Sequence, residues 1–171
     1  EAIAKAGGRA LAMVGDAGAE ADVKAYVARA VKEFGGVDAV YANAGISGGY
    51  VPITEQTVEQ WQETLRVNLI GPFLAIKHVA PLMIAQKKGA IVCTASVAGI
   101  RANAGPTAYS ASKAGVISLV QTAANELYGT GVRVNAVCPG LIETGMTKPI
   151  FDGEPERLDD LIALNALYRP G

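Results

Sequence analysis

The segment spanning residues 90–113, AIVCTASVAGIRANAGPTAYSASK, constrains this chain more than any other. It opens on an apolar run, residues 90–94, of the kind that fills a strand buried on both faces. The run ends at Ser96, crosses a loop of small residues, and returns to regular structure at Tyr109, where a helical pattern continues to about Tyr128. Tyr109 and Lys113 are four residues apart, so on a helix they share a face, separated by about 6 Å of rise. A strand end and a helix start thereby deliver a hydroxyl, a phenol and an ammonium to one place. A free phenol titrates at about pH 10, and a neighbouring cation favours its ionised form. Ser96 can hydrogen-bond a carbonyl or alcohol oxygen while Tyr109 gives or takes its proton. The Tyr-x-x-x-Lys spacing alone is also an ordinary helix-surface pair, so the company it keeps decides its meaning.

Composition narrows the frame. Half of the 171 residues are hydrophobic and the net charge is −1, which suits one core in a single α/β domain. No unbroken apolar run reaches the length of a membrane span, and no signal peptide or basic tract stands out. Near-neutral charge gives no reason to expect nucleic acid. Cys93 and Cys138, the only two cysteines, fall in strand-like runs and read as buried thiols of a reducing, cytoplasmic compartment. The lone His78 lies in a separate helix and reads as a surface or interface residue. No metal site is expected.

In chain order, residues 1–6 read as the end of a helix stopped by Gly7-Gly8. A short strand follows over residues 9–14, then Gly15-Asp16, where the aspartate suits an Asx turn. Residues 19–34 form an amphipathic helix with Val23, Tyr26, Val27, Ala30, Val31 and Phe34 on one stripe. A second strand, 37–42, ends at Asn43-Ala44-Gly45, the position where open α/β sheets bind ligands. Asn43 can tie neighbouring strands together, and the glycine-rich loop 46–53 can border a substrate. Residues 57–88 are helical but interrupted near Asn68, Gly71 and Pro72, with Trp61, Leu65, Leu69, Phe73, Ile76 and Met83 supplying the apolar side. A last buried strand, 132–138, is broken by Pro139-Gly140.

Five of these features stand together: Asn43-Ala44-Gly45, Val67-Asn68-Leu69-Ile70-Gly71, Ser96 thirteen residues before Tyr109, Tyr109 with Lys113, and the run Asn135 to Thr144 through Pro139-Gly140. In this order and spacing the chain resembles the short-chain dehydrogenases/reductases over essentially its whole length. The resemblance implies an α/β fold, a Rossmann-like doubly wound parallel sheet, and a catalytic tetrad of Asn68, Ser96, Tyr109 and Lys113. It implies NAD or NADP as hydride carrier, with Asp16 on the adenine and Asn43, Ala44 and Gly45 along the cofactor. Tyr109, Lys113, Pro139, Gly140, Ile142 and Thr144 complete the cofactor set, Thr144 on the carboxamide. Ser96, Ile46, Asn103 and Tyr109 would meet the substrate, and residues 145–166 would form a lid over it. A bend at Asn68 would free a backbone carbonyl for a water-mediated proton relay.

The implied activity is interconversion of a secondary alcohol and a ketone. A 3-oxoacyl-thioester reductase acting on acyl carrier protein is the in-class alternative, and a non-catalytic binding protein that kept the fold is the other. The Tyr–Lys spacing argues against the enoyl reductase branch. The resemblance also implies a small-molecule carbonyl or alcohol substrate and a homo-oligomer, dimer or tetramer, paired through the helical segments 57–88 and 109–128. Two departures stand out. The family's usual Asn-Asn is Ala42-Asn43 here, and no glycine-rich phosphate loop occurs anywhere in the sequence.

That loop belongs after the family's first strand, so residues 1–171 are expected to be one Rossmann-type domain, incomplete at both ends. In the strand order 3-2-1-4-5-6, the strand over residues 10–14 would then stand about 14 Å from the strand over residues 37–42. Residues 37–42, 90–94 and 132–138 would form a continuous parallel ladder.

Overall fold

The structure, a computed structural model, describes residues 2–153. A one-turn helix α1 (Ala2–Lys5) precedes α2 (Glu20–Phe34) and strand β1 (Ala39–Ala42). A long helical rod follows: α3 (Val58–Leu65), a π-helical turn (Arg66–Ile70) and α4 (Gly71–Gln86). Then come β2 (Gly89–Thr94), a 3₁₀ turn (Val97–Gly99), α5 (Thr107–Glu126), β3 (Val132–Val137) and α6 (Lys148–Gly153).

The three strands form one parallel sheet in the order β1-β2-β3, with Ala39 opposite Ala90 and Gly89 opposite Val132 at the start of the two ladders. This is the expected continuous ladder. β2 is central and its inward residues, Ile91 and Cys93, are wholly buried. They join Val79 and Met83 of α4, Val116 and Val120 of α5 and Val134 of β3 in one core cluster. Fully burying side chains of this size contributes about 1.5–3 kcal/mol each. Val120 is thus used within the chain, as Leu119 and Leu127 partly are.

Local chemistry sets the element ends. Thr57 caps α3 reciprocally, its hydroxyl accepting from Gln60 N at 3.2 Å while Thr57 N donates to Gln60 Oε1 at 2.9 Å. Gly35 stops α2 at φ +86°, a conformation open to glycine, and donates to Val31 O.

Three expectations change. Residues 9–14 are not a strand: they run without regular structure, exposed throughout, with Val14 fully exposed. The physical reason is that no ladder in the described residues offers their backbone a partner, and a strand without one is not stable. They form no ladder with β1, which pairs only with β2 in the sheet. Second, the apolar stripe through the long helix holds at Leu69, Ile76 and Met83 but not at Phe73. Phe73 is 41% exposed, while Leu74, Ala75, Val79 and Met83 are buried, because the π turn inserts extra backbone and shifts the helical phase. Third, the rod Val58–Gln86 is long and apolar enough to cross a membrane by length and composition. Here α4 packs against all three strands instead.

Candidate active site

The site lies at the carboxyl ends of the strands. β2 runs out at Thr94; Ala95 N donates to Val137 O at 2.8 Å and Val97 N to Pro139 O at 3.1 Å, so the sheet's register carries past its last strand residues. Ser96 sits between these anchors, in extended conformation, as the cap of the Val97–Gly99 turn; its Oγ accepts from Ala98 N at 3.1 Å. That turn rests directly on α5. A β-carbon on Gly99 would lie 2.6 Å from the carbonyl carbon of Lys113, so only glycine allows the Ser96 turn so close to the Tyr109 helix.

On α5, Tyr109 faces the cleft and Lys113 lies one turn on. Lys113 is 3% exposed, its Nζ 5.5 Å from the centre of the Tyr109 ring and donating to Thr94 O at 2.7 Å. Burial pushes the Lys113 ammonium below the ordinary lysine value, offset in part by the Cys93 sulfur. The same burial drives the Cys93 thiol up to about 11, against the pull of the Lys113 charge.

Asn68 occupies the middle of the π turn and is wholly buried. Its amide is fully committed: Oδ1 accepts from Ile46 N at 2.8 Å, and Nδ2 donates to Ile46 O at 2.9 Å and to Ser112 Oγ at 3.1 Å. Ser112 in turn donates to Tyr109 O at 2.6 Å. Asn68 therefore pins the loop after β1 to the first turn of α5. The expected helix interruption takes the form of this π turn.

A cleft of about 650 Å³ opens over the Ser96 and Tyr109 side chains, bounded also by Tyr50, Pro106, Gly140 and Met146. Of the residues expected to meet substrate, Ser96 and Tyr109 line it; Ile46 and Asn103 do not. Ile46 is held by Asn68, and Asn103 sits at φ +58° in the loop before α5. Of the residues expected along a cofactor, Asn43 Oδ1 accepts from Thr94 Oγ1 at 2.8 Å and ties β1 to β2. A β-carbon on Gly45 would fall 3.3 Å from Asn68 Oδ1 and 3.5 Å from Lys113 Nζ, so its backbone borders both; Ala44 precedes it. Asp16 is the centre of a polar knot: Oδ1 accepts from Gly18 N at 2.8 Å and Oδ2 pairs with Arg66 Nη1 at 2.8 Å. The Gly18 bond, with Arg66 behind it, holds the carboxyl below the usual carboxylate range. Pro139 anchors Val97 and Gly140 lines the cleft.

Sequence reasoning missed Thr147. Its hydroxyl donates to Ile142 O at 2.6 Å and accepts from Thr144 N at 2.9 Å, shaping the loop that carries Ile142 and Thr144. A threonine at the edge of a helical pattern is a recognisable capping signal. Arg101 also lines the cleft unannounced. Among the described residues, no group of His, Cys, Asp or Glu could hold a metal ion. Of the expected lid only residues 145–153 are described, with α6 among them; the remainder, to 166, lies outside the described residues.

A parallel sheet with a Ser–Tyr–Lys cluster at its carboxyl edge and an asparagine at a helix break defines a class, and direct comparison agrees. The sequence model of the short chain dehydrogenase family matches residues 1–155. The chain belongs to this family. It is 40% identical over 148 residues to the 3-oxoacyl-acyl-carrier-protein reductase of Thermotoga maritima, covering 86% of this chain and 60% of that protein. It is 41% identical over 150 residues to the 2-(R)-hydroxypropyl-CoM dehydrogenase of Xanthobacter autotrophicus, again covering 86% and 60%. The crystal structure of an NAD+-bound xylitol dehydrogenase superposes with a TM-score of 0.87 at 30% identity, over 98% of this chain and 69% of that one. The chain spans about 60% of the length of the curated relatives it matches.

Proposed function

We propose that the protein is an NAD- or NADP-dependent oxidoreductase that interconverts a secondary alcohol and a ketone. The observation that carries this reading is that Ser96 and Tyr109 line one cleft, with Lys113 buried 5.5 Å from the Tyr109 ring and Asn68 joining the loop after β1 to the first turn of α5.

The site fits a nicotinamide dinucleotide on the chemistry of its donors. Lys113 carries three N–H groups but gives one to the protein, at Thr94 O. A buried ammonium with donors to spare suits a vicinal diol such as a ribose. Gly45, which any β-carbon would press against Asn68 and Lys113, leaves room for close approach. Lys113, the 43–45 turn and the loop from Pro139 to Thr144 would hold the group. When bound, it supplies or accepts the hydride.

The chain's own residues handle the proton and the oxygen. Ser96 donates to the carbonyl oxygen and fixes its direction. Tyr109 Oη gives that oxygen its proton in reduction and takes it back in oxidation. The Lys113 charge, 5.5 Å from the ring, stabilises the negative charge left on the phenol oxygen. Asn68 positions Tyr109 through Ser112 and has no free amide atom to offer a substrate.

Reductase action on a 3-oxoacyl thioester is the second reading, supported by the Thermotoga relative. Both are tested on the full-length protein with NADH and NADPH, against free ketones and acyl-carrier-protein thioesters. Tyr109→Phe is expected to lower turnover by about 10²- to 10⁴-fold with the fold intact. Near-normal turnover in that variant overturns the role given to Tyr109.

A further inference from the structure

Arg101 stands out in the cleft for its charge. It is the only charged residue between Ala90 and Ser112 and, among the described residues, the only charged side chain on the cleft's lining. Two other arginines are occupied: Arg29 pairs with Glu33, and Arg66 with Glu63 and Asp16. Arg101 has no carboxylate partner among the described residues. A cation without a counter-charge among the described residues, facing a cleft whose other described lining is neutral, makes that cleft attract anions.

Its position is fixed relative to the reacting groups. Arg101 N donates to Val97 O at 3.1 Å, so the residue closes the turn that Ser96 caps. That turn is pressed on α5 at Gly99, and the next small residues, Ala104 and Gly105, run along the cleft to Tyr109. A β-carbon on Gly105 would sit 3.0 Å from the Tyr109 ring. The Arg101 backbone is thus held, in a short and tightly packed loop, on the same wall that carries Ser96 and Tyr109, within side-chain reach of the cleft. The planar fork of its guanidinium matches an oxyacid group in a way a point charge does not.

We propose that Arg101 determines substrate specificity, and that the substrate carries an anionic oxyacid group, carboxylate, sulfonate or phosphate, besides its carbonyl or carbinol carbon. This rests on the oxidoreductase reading above and narrows it from any ketone to an oxo acid or its phosphorylated or sulfonated counterpart. The anionic group would bind at the cleft's rim on Arg101 while the carbonyl oxygen reaches Ser96 and Tyr109.

The test uses the full-length protein with NADH or NADPH and substrates in matched pairs. Each of several oxo acids of increasing length is paired with its methyl ester, and dihydroxyacetone phosphate with dihydroxyacetone, so that carboxylate and phosphate are read separately. In at least one pair the anionic member is expected to be favoured about 10- to 100-fold in kcat/KM, chiefly through KM, as for one charge-assisted contact. Arg101→Met should bring that ratio close to one, Arg101→Lys should leave an intermediate ratio, and added salt should compress it in the wild type. Equal use of both members of every pair, or a preference that survives in R101M, overturns the proposal. So does an R101M defect confined to the KM of the dinucleotide. Titration calorimetry of the same pairs makes the comparison without turnover, and equal affinity of acid and ester there also overturns it. Absence of turnover on every ketone, with Tyr109→Phe indistinguishable from wild type, would instead sink the oxidoreductase reading.

Discussion

Gly99 and Lys113 touch backbone to backbone, with space for a β-carbon only 2.6 Å from the lysine's carbonyl carbon. The contact sets the distance between the turn holding Ser96 and the helix holding Tyr109. Gly99→Ala must push the two apart. The expected cost is about 1–3 kcal/mol of stability from overpacking, with turnover lower by about 10- to 100-fold from misplacement. Gly153→Ala, where a β-carbon meets none of the described residues within 4 Å, serves as the control and should stay within about 0.5 kcal/mol of wild type. Urea melts and initial rates on both variants decide it; a G99A protein with full turnover would separate the turn from catalysis.

Asn68 is the joint between loop, π turn and α5. Asn68→Ala leaves the Ile46 N–H and C=O without the partners they have now. Stability should fall by on the order of 2–4 kcal/mol, since each unsatisfied buried group costs about 1–3 kcal/mol. Chemical denaturation with an unchanged m-value would show it. A midpoint equal to wild type would mean that water replaces the amide without loss.

Glu20 ties α2 to α4 by accepting from Lys77 Nζ at 2.8 Å and sitting 2.9 Å from His78 Nε2. Those bonds, Lys77 first, lower its pKa from 4.5 to about 2. A depressed carboxyl pKa means the unfolded chain takes up the proton first as pH falls. The Glu20 contribution is therefore complete above about pH 4.5 and lost on descent through about pH 2. Glu20→Gln should be less stable than wild type at pH 6, with the difference closing by pH 2. Melting temperatures across that range test it, and a constant difference would contradict it.

Much of this was legible in residues alone. Ser96, Tyr109 and Lys113 were legible through the motifs that accompany them in order and spacing, and the continuous apolar run 90–94 marked a buried strand. Two things were hidden for physical reasons. A π turn leaves no mark in apolar periodicity except a change of phase, so the periodicity puts Phe73 on the buried stripe although Ile76 and Met83 of that stripe are the ones the core takes. Residues 9–14 have strand-like composition, but a strand is a property of the pair and not of the segment. Arg101 was invisible for a third reason: lining a cleft depends on how loops far apart in sequence meet.

The outward residues of the long helical rod support one more expectation. Ile70, at the end of the π turn, and Phe73 and Ile84 of α4 are each at least 40% exposed, and their spacing places them on one side of the rod. An exposed apolar stripe of this kind suits pairing across a two-fold axis. Light scattering on the full-length protein should give a dimer or tetramer, and Phe73→Glu should shift it toward monomer. A monomeric wild type at micromolar concentration would remove this expectation.

Cys93 lies wholly buried in β2, and its thiol is held protonated by burial although Lys113 is close enough to pull the other way. Thiolate is the reactive species and none is presented to solvent, whereas Cys138 is only partly covered. An alkylating reagent can reach Cys93 only while the sheet and α5 part. The rate at which that one sulfur is labelled therefore clocks how often the floor beneath Lys113 opens, and a bound ligand that steadies the site would be heard as silence at Cys93.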